Sequence, residues 1–401
     1  MITKIEIENF KSIEKAEVEL GKFNVLIGPN NSGKSNFLEA ILLMKKLTNY
    51  DTGRIFTERD SFEKYLWRDK ITANFSFHMA QNSKIPIYQI ALSHGEYYWP
   101  FVKTEHIESK KDNLILHRSE KRIMVRLISG DPTSSYGAPV STSTSVLNTM
   151  KSSPTILRKA ASSEPIRFPQ NFIDVADEFN TYQLYKFNPK KFHEPSQIKT
   201  DVQIPEIAED GFGLPSLLMH YVTNDRDLFD EIEETLTNNE QFSFIKRINP
   251  THTEKVLSRL TFKDKSGKVF ESGQISDGVL LVLAFITICK SKTPPALIAI
   301  EEPENGIHPS NLKLVIDFIR DMVKTNENTQ VIITTHSPYL LDCVEPEEVL
   351  IFHRDGDGPT QIEQMSKIPH INEMLKGYML GELWAEYGEE KILKGQEKDE
   401  D

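Results

Sequence analysis

The eight residues Gly28-Pro29-Asn30-Asn31-Ser32-Gly33-Lys34-Ser35 constrain the fold of this chain more than any other stretch. They follow the apolar run Phe23 to Ile27 and precede an apolar helical pattern from Phe37 to Leu43. A strand, a G-x-x-x-x-G-K-[ST] loop and a helix in that order make a phosphate-binding turn. Glycines let backbone N–H groups point inward around a phosphate chain, and the helix start adds the positive end of its dipole. In such a turn Gly28, Asn30, Asn31, Ser32, Gly33 and Asn36 surround the nucleotide. Lys34 reaches the β- and γ-phosphates, and the Ser35 hydroxyl ligates Mg²⁺.

Strands and helices alternate around this turn. Ile2, Ile5 and Ile7, then Ala16, Val18 and Leu20, predict short strands ahead of the run Phe23 to Ile27. Residues 72–102 alternate again through Phe75, Phe77, Ile87, Ile90 and Leu92, and predict antiparallel strands. Residues 212–247 carry helical spacing, and a hairpin is expected around Asp264-Lys265-Ser266-Gly267. Residues 277–290 predict a strongly apolar helix. Buried strands are expected over 296–300 and 330–335, with an amphipathic helix over 309–324 between them. This pattern makes an α/β sheet whose ligand lies at the carboxyl ends of the strands. Between residue 103 and about residue 160 the pattern weakens. The stretch Ser134 to Ser153, with Ser141-Thr142-Ser143-Thr144-Ser145 inside it, predicts a polar, mobile loop. Lys110, Lys111, Arg118, Lys121, Arg122 and Arg126 form a basic strip, either a solvated face or a nucleic-acid contact.

The chain has 401 residues, 38% of them hydrophobic and 26% charged, which fits a globular protein. Its net charge of −12 excludes a generally cationic nucleic-acid coat and leaves a local basic patch open. Cys289 and Cys343 lie in or near apolar segments and read as buried thiols of a reducing compartment. Met1 to Glu6 holds no signal-peptide core, and the longest apolar run, Val279 to Ile288, is too short to span a bilayer. A cytoplasmic protein without a membrane partner is expected.

Three further motifs carry chemistry. The strand Ala296 to Ile300 ends in Glu301-Glu302-Pro303. Buried carboxylates are costly unless they meet a cation or serve a reaction. Beside a phosphate loop, Glu301 is the metal-side acid and Glu302 the base that polarises the attacking water. The strand from Val331 ends in Thr334-Thr335-His336-Ser337-Pro338, and His336 can donate a hydrogen bond to a γ-phosphate oxygen. Ser276-Asp277-Gly278 opens the apolar helix. Ser276 is an N-cap candidate there, and the helix start can also face a phosphate.

The order of these motifs resembles the ATP-binding-cassette-type ATPases of the structural-maintenance and recombination-mediator group. The opening Ile7-Glu8-Asn9-Phe10-Lys11-Ser12 is also similar to theirs. Within that group the overcoming-lysogenisation-defect-like ATPases of genome maintenance and anti-phage defence are most similar. The resemblance implies that Ser276 and Gly278 form a signature loop acting across a dimer on ATP. It places the loop coupling two sites at Asn305 to His308 and makes His336 the switch histidine. Ile275-Ser276-Asp277-Gly278-Val279 departs from the transporter-type signature, which argues against a membrane transporter. Glu301 stands where many relatives carry Asp. Gln81 and Gln89 are candidates for the glutamine loop, and no heptad arm is expected between 50 and 270.

The expected fold is an α/β, ABC-type head with a mixed sheet core, an antiparallel β subdomain and a helical lobe inserted between phosphate loop and signature. Its expected parts are 1–102, 103–270, 271–352 and 353–401. Residues 337–401 are too few for the topoisomerase–primase-like nuclease domain of some relatives. Asp355-Gly356-Asp357-Gly358 reads as a hairpin turn rather than a metal site. Residues 389–401 predict a frayed acidic helix. The function implied is Mg²⁺-dependent ATP hydrolysis by a dimerising head that controls a separate effector, a nuclease or toxin. A scaffold assembled by ATP and a DNA-end-binding mediator are the alternatives.

Overall fold

The computed structural model describes residues 1–57, 60–80, 87–95, 100–109, 114–119, 122–127, 135–139, 141–152, 157–159, 165–166, 170–197, 204–254 and 257–394. The chain packs as two units, Met1–Tyr182 with Leu350–Ile368 and Gln183–Val349 with Pro369–Asp401.

The first unit opens with the hairpin of strands Ile2–Phe10 and Ile13–Glu19, whose register runs from Lys4 opposite Glu19 to Phe10 opposite Ile13. Ile2, Ile5, Ile7 and Phe10 are buried while Lys4, Glu6 and Glu8 stay partly exposed, so one face is core and the other meets water. Strand Ile2–Phe10 also pairs with Thr72–Met79, and from there the sheet grows strand by strand to ten, all antiparallel. The antiparallel strands expected over 72–102 are thus part of a larger sheet that runs from Ile13–Glu19 to Pro165–Ile166. Helix Lys34–Asn49 packs beside helices Val146–Ser152 and Gln170–Asn180. Phe179 meets Phe77 and Tyr88 of the sheet edge-on or tilted, with ring centroids 5.7 and 5.5 Å away. Strand Phe23–Ile27 is buried along its whole length and neighbours Val349–His353, which pairs antiparallel with Gln361–Gln364.

The second unit holds three parallel strands, Gln183–Tyr185, Leu297–Glu301 and Gln330–Thr334. Helix Pro309–Thr325 makes the crossover between the last two. Helix Asp277–Cys289 is buried from Val279 to Ile288, on every side rather than along a stripe. A smaller antiparallel sheet is built from Ser196–Gln197, Leu257–Asp264, Ile245–Glu254 and Val269–Glu271. Among the described residues no helix is long and apolar enough to cross a membrane.

Three expectations are corrected. The helical stretch 212–247 is two helices, Leu214–Asn224 and Arg226–Thr237, and a strand begins at Ile245. Asp225 splits the helices because its carboxylate accepts the Leu228 N–H at 3.4 Å and caps the second one. Within the Ser/Thr-rich stretch, Ser135–Pro139 is a strand and Val146–Ser152 a helix. Its order comes from below. Arg118 is fully buried and donates to the Ser141 carbonyl at 2.7 Å and to the Thr144 carbonyl. Arg118 therefore belongs to no exposed basic strip. Of the other strip residues, Lys110, Lys111 and Lys121 lie outside the described residues, as do Ser134 and Ser153.

Candidate active site

The phosphate loop lies in the first unit. Gly28 (φ 141°) and Gly33 (φ 108°) take backbone conformations that L side chains rarely adopt. A Cβ on Gly28 would overlap the Phe352 carbonyl oxygen, and one on Gly33 would overlap the Thr360 side chain. Asn31 also has positive φ, 66°. Lys34 opens the helix, is buried, and donates to the loop's own carbonyls, Gly28 O at 2.7 Å and Pro29 O at 3.0 Å. Ser35 is exposed on the first turn, which holds no acidic residue.

A relay of hydroxyls braces the loop. Thr360 Oγ1 donates to the Ser32 carbonyl at 2.9 Å, so its one proton is committed. Ser12 Oγ must then donate to Thr360 Oγ1 at 2.7 Å, and Asn36 Nδ2 donates to Ser12 Oγ at 2.6 Å. Arg354 adds a bond to the Asn31 carbonyl at 3.3 Å. The expected turn at Asp355 to Gly358 is present, with Gly358 N–H on the Asp355 carbonyl at 2.9 Å, and it returns the chain to Thr360. Sequence reading missed Ser12, Thr360 and Arg354 as loop supports. Only Ser12 carried a signal, its place in the Phe10-Lys11-Ser12 run.

The residues present fit a nucleotide. Ser32 Oγ is buried within the loop with no hydrogen-bond partner, and a buried hydroxyl without a partner calls for one. The Lys34 ammonium rests on weak neutral acceptors that a phosphate oxygen would replace.

The acids, the histidine and the signature lie in the second unit. Glu301 ends its strand and meets the Lys186 ammonium at 2.6 Å, and that hydrogen bond raises the Lys186 pKa above its ordinary value. Glu302 leaves the strand with φ 48° and donates its N–H to the Thr334 carbonyl at 2.9 Å. Asn305 Nδ2 donates to Glu302 Oε2 at 2.6 Å, and His336 Nε2 lies 3.8 Å from Glu302 Oε1. Glu304, which sequence reading passed over, accepts from Thr335 Oγ1 at 2.7 Å and from the His336 N–H at 2.9 Å. One carboxylate thus ties the loop after the acids to the loop that carries His336.

Ser276 takes the N-cap position, yet its hydroxyl makes no cap bond to its own helix. A Cβ on Gly278 would come within 3.2 Å of the Gly306 carbonyl, so the signature turn and the loop after Glu302 approach closely. Asp277 accepts from His193 Nε2 at 2.7 Å, which holds the start of the helix. The structure therefore brings Glu302 to His336 and Gly278 to Gly306, and pairs Glu301 with Lys186. Gln89 sits within the ten-stranded sheet and donates to Ser76 at 3.2 Å, while Gln81 lies outside the described residues.

Known proteins match these features. A family model described as "AAA domain, putative AbiEii toxin, Type IV TA system" matches residues 139–342, just over half of the chain. The chain belongs to this AAA family. A second model, "AAA ATPase domain", matches residues 1–193 of the AAA protein. The chromosome partition protein Smc of Methanocaldococcus jannaschii is 48% identical over 44 residues, 11% of this chain and 4% of that protein. The DNA replication and repair protein RecF of Yersinia enterocolitica is 32% identical over 77 residues, 18% of this chain and 21% of that protein. The chain thus spans a small share of the curated relatives it matches. A solved SMC head bound to the C-winged helix domain of ScpA superposes with a TM-score of 0.50 at 14% identity, covering 92% of this chain and 99% of that one. That likeness is one of fold. The AAA protein thus shares the fold of an SMC head, and two AAA family models match its sequence.

Proposed function

We infer that this AAA protein holds ATP at its phosphate loop and that the Glu302 carboxylate is the base for its hydrolysis. The observation that carries this reading is the fixed carboxylate of Glu302. Its Oε2 is taken by Asn305 and its Oε1 faces His336 at 3.8 Å, so one oxygen is aimed and one is engaged. A base held in this way accepts a proton from a water molecule as that water attacks the γ-phosphorus. His336 donates to the phosphoryl oxygens, and Glu304 keeps its backbone in place. Lys34 exchanges its loop carbonyls for the β- and γ-oxygens. Ser35 and Glu301 are each candidates to hold Mg²⁺, which would neutralise charge on the phosphates when bound. Ser276 and Gly278 complete the site of a second head across a dimer.

The wider role follows the coarse character of the relatives. The family description names a toxin system, the RecF relative is a DNA repair protein, and the SMC head was solved with a separate protein domain. These support a cytoplasmic head that passes ATP turnover to an effector protein in genome maintenance or phage defence. Direct DNA binding through the basic strip loses Arg118, which is buried.

Glu302→Gln tests the reading. Nucleotide affinity is expected to stay within about threefold, and hydrolysis to fall by roughly 10²- to 10⁴-fold as for loss of a general base. Lys34→Ala is expected to lose ATP binding itself. Turnover at the wild-type rate in Glu302→Gln would remove Glu302 from the chemistry.

A further inference from the structure

Strand Gln183–Tyr185 runs parallel to Leu297–Glu301, with Gln183 opposite Ile298, Leu184 opposite Ala299 and Tyr185 opposite Ile300. One more step along both strands sets Lys186 opposite Glu301, and the 2.6 Å bond between them follows from that register. The backbone at this point is fixed, because the Lys186 N–H donates to the Glu209 carbonyl at 2.8 Å and the Asn188 N–H to Asp210 at 2.9 Å. The two side chains differ. Glu301 is 12% exposed and Lys186 is 66% exposed. The acid is held by the strand end, and the ammonium reaches it from solvent on a flexible stem. Glu302 and Glu209 add to the negative field around that ammonium. An aspartate at position 301 would be one methylene shorter and would not reach sideways as far.

We propose that Lys186 is the resident counter-ion of Glu301, and that a divalent cation must displace it to reach this carboxylate. The proposal rests on the reading of Glu301 as the metal-side acid. A lysine suits the role because a single compact ammonium gives one hydrogen bond and leaves readily, whereas a bidentate guanidinium would hold. An ion pair with its ammonium largely in solvent is weak, so a divalent cation wins the competition for the carboxylate. With no metal, the ammonium keeps a nearly buried carboxylate compensated. Lys186 therefore sets the metal concentration at which this carboxylate takes up the cation.

The test is Mn²⁺ binding, read by electron paramagnetic resonance on ATP-loaded protein in a Glu302→Gln background, with Mn²⁺ held by free ATP subtracted. Lys186→Gln is expected to tighten Mn²⁺ by about 3- to 10-fold, the size of a partly exposed ion pair. Lys186→Arg is expected to weaken it or leave it unchanged. In a Glu301→Gln background, Lys186→Gln is expected to have no effect on Mn²⁺. If Lys186→Gln leaves Mn²⁺ affinity unchanged or weaker while Glu301→Gln weakens it, the counter-ion role is overturned and the metal-side role of Glu301 survives. If Glu301→Gln itself leaves Mn²⁺ affinity unchanged, the reading of Glu301 fails, and the proposal with it. A loss of ATP affinity in Lys186→Gln, read separately with a fluorescent nucleotide, would make Lys186 a phosphate contact and overturn the proposal.

Discussion

At the scale of single residues, the Glu105–Arg118 pair shows how a buried charge is held. Glu105 and Arg118 face each other across two strands, both fully buried. Glu105 accepts from Arg118 at 3.0 Å, from the Val146 N–H at 2.7 Å and from Tyr88 O–H at 2.8 Å. Burial pushes the Glu105 carboxyl above its ordinary value, against the pull of the Arg118 charge and of these donors. Breaking such a pair leaves one buried charge uncompensated, and Glu105→Gln is expected to cost about 3–5 kcal/mol. Replacing both with apolar residues should cost less than the single change, and urea midpoints of the wild type and the two variants check this order. Thr360 is a milder case. Thr360→Val keeps the shape and removes the hydroxyl that links Ser12 to the Ser32 carbonyl. About 1–3 kcal/mol is expected for the unpaired groups, along with weaker ATP binding measured by nucleotide titration. The glycines and Lys34 of the loop were legible in the sequence because their spacing is local. Thr360 and Arg118 were not, because their partners are set by tertiary packing.

At the scale of elements, legibility follows how much of an element's order is its own. Helix Asp277–Cys289 is apolar throughout, and the buried strands Leu297–Glu301 and Gln330–Thr334 are continuous apolar runs, so all three stood out in the sequence. The Ser/Thr stretch did not, because its carbonyls are organised by a guanidinium beneath it and its helix by Ser145. That hydroxyl donates to the Leu47 carbonyl at 2.7 Å and accepts the Asn148 N–H at 3.1 Å. Ser145→Ala is expected to cost about 0.5–2 kcal/mol, an ordinary capping loss, and to show first as faster amide exchange in Val146–Ser152. Cys289 closes the apolar helix, and burial pushes its thiol up from about 9 to about 12. The thiolate is the reactive form, so iodoacetamide near pH 8 should spare Cys289 until the unit unfolds. The sign of the linked effect is fixed. A thiol raised in the folded state contributes stability that is whole below the ordinary value and lost as pH rises towards about 12. The wild type should therefore lose more stability than Cys289→Ala between pH 8 and pH 11, in urea titrations at each pH.

At the scale of the whole molecule, the phosphate loop and the acids belong to different packing units, and the signature turn carries a serine hydroxyl that caps nothing in its own helix. A helix N-terminus with an exposed serine can take an anion, and the proposed mechanism would supply the phosphate of a second head. Dimerisation must also overcome charge, since each head carries −12. Repulsion between two such heads is long-ranged and is screened over about 8 Å at 0.15 M salt. Ligand contacts at the interface act at shorter range and are screened less. Two dependences follow together. In Glu302→Gln, ATP with Mg²⁺ should carry the mass in solution from 46.0 kDa to about twice that value. Raising the salt from about 0.05 to about 0.3 M should strengthen that dimer rather than weaken it. Ser276→Arg should keep ATP binding by the single head and abolish the mass change. Light scattering on the three proteins, with and without nucleotide, separates the cases. A mass that stays at 46.0 kDa in every condition would restrict the site to one head. A dimer that dissolves as salt rises would mean that local ion pairs, and not a shared nucleotide, hold the two heads together.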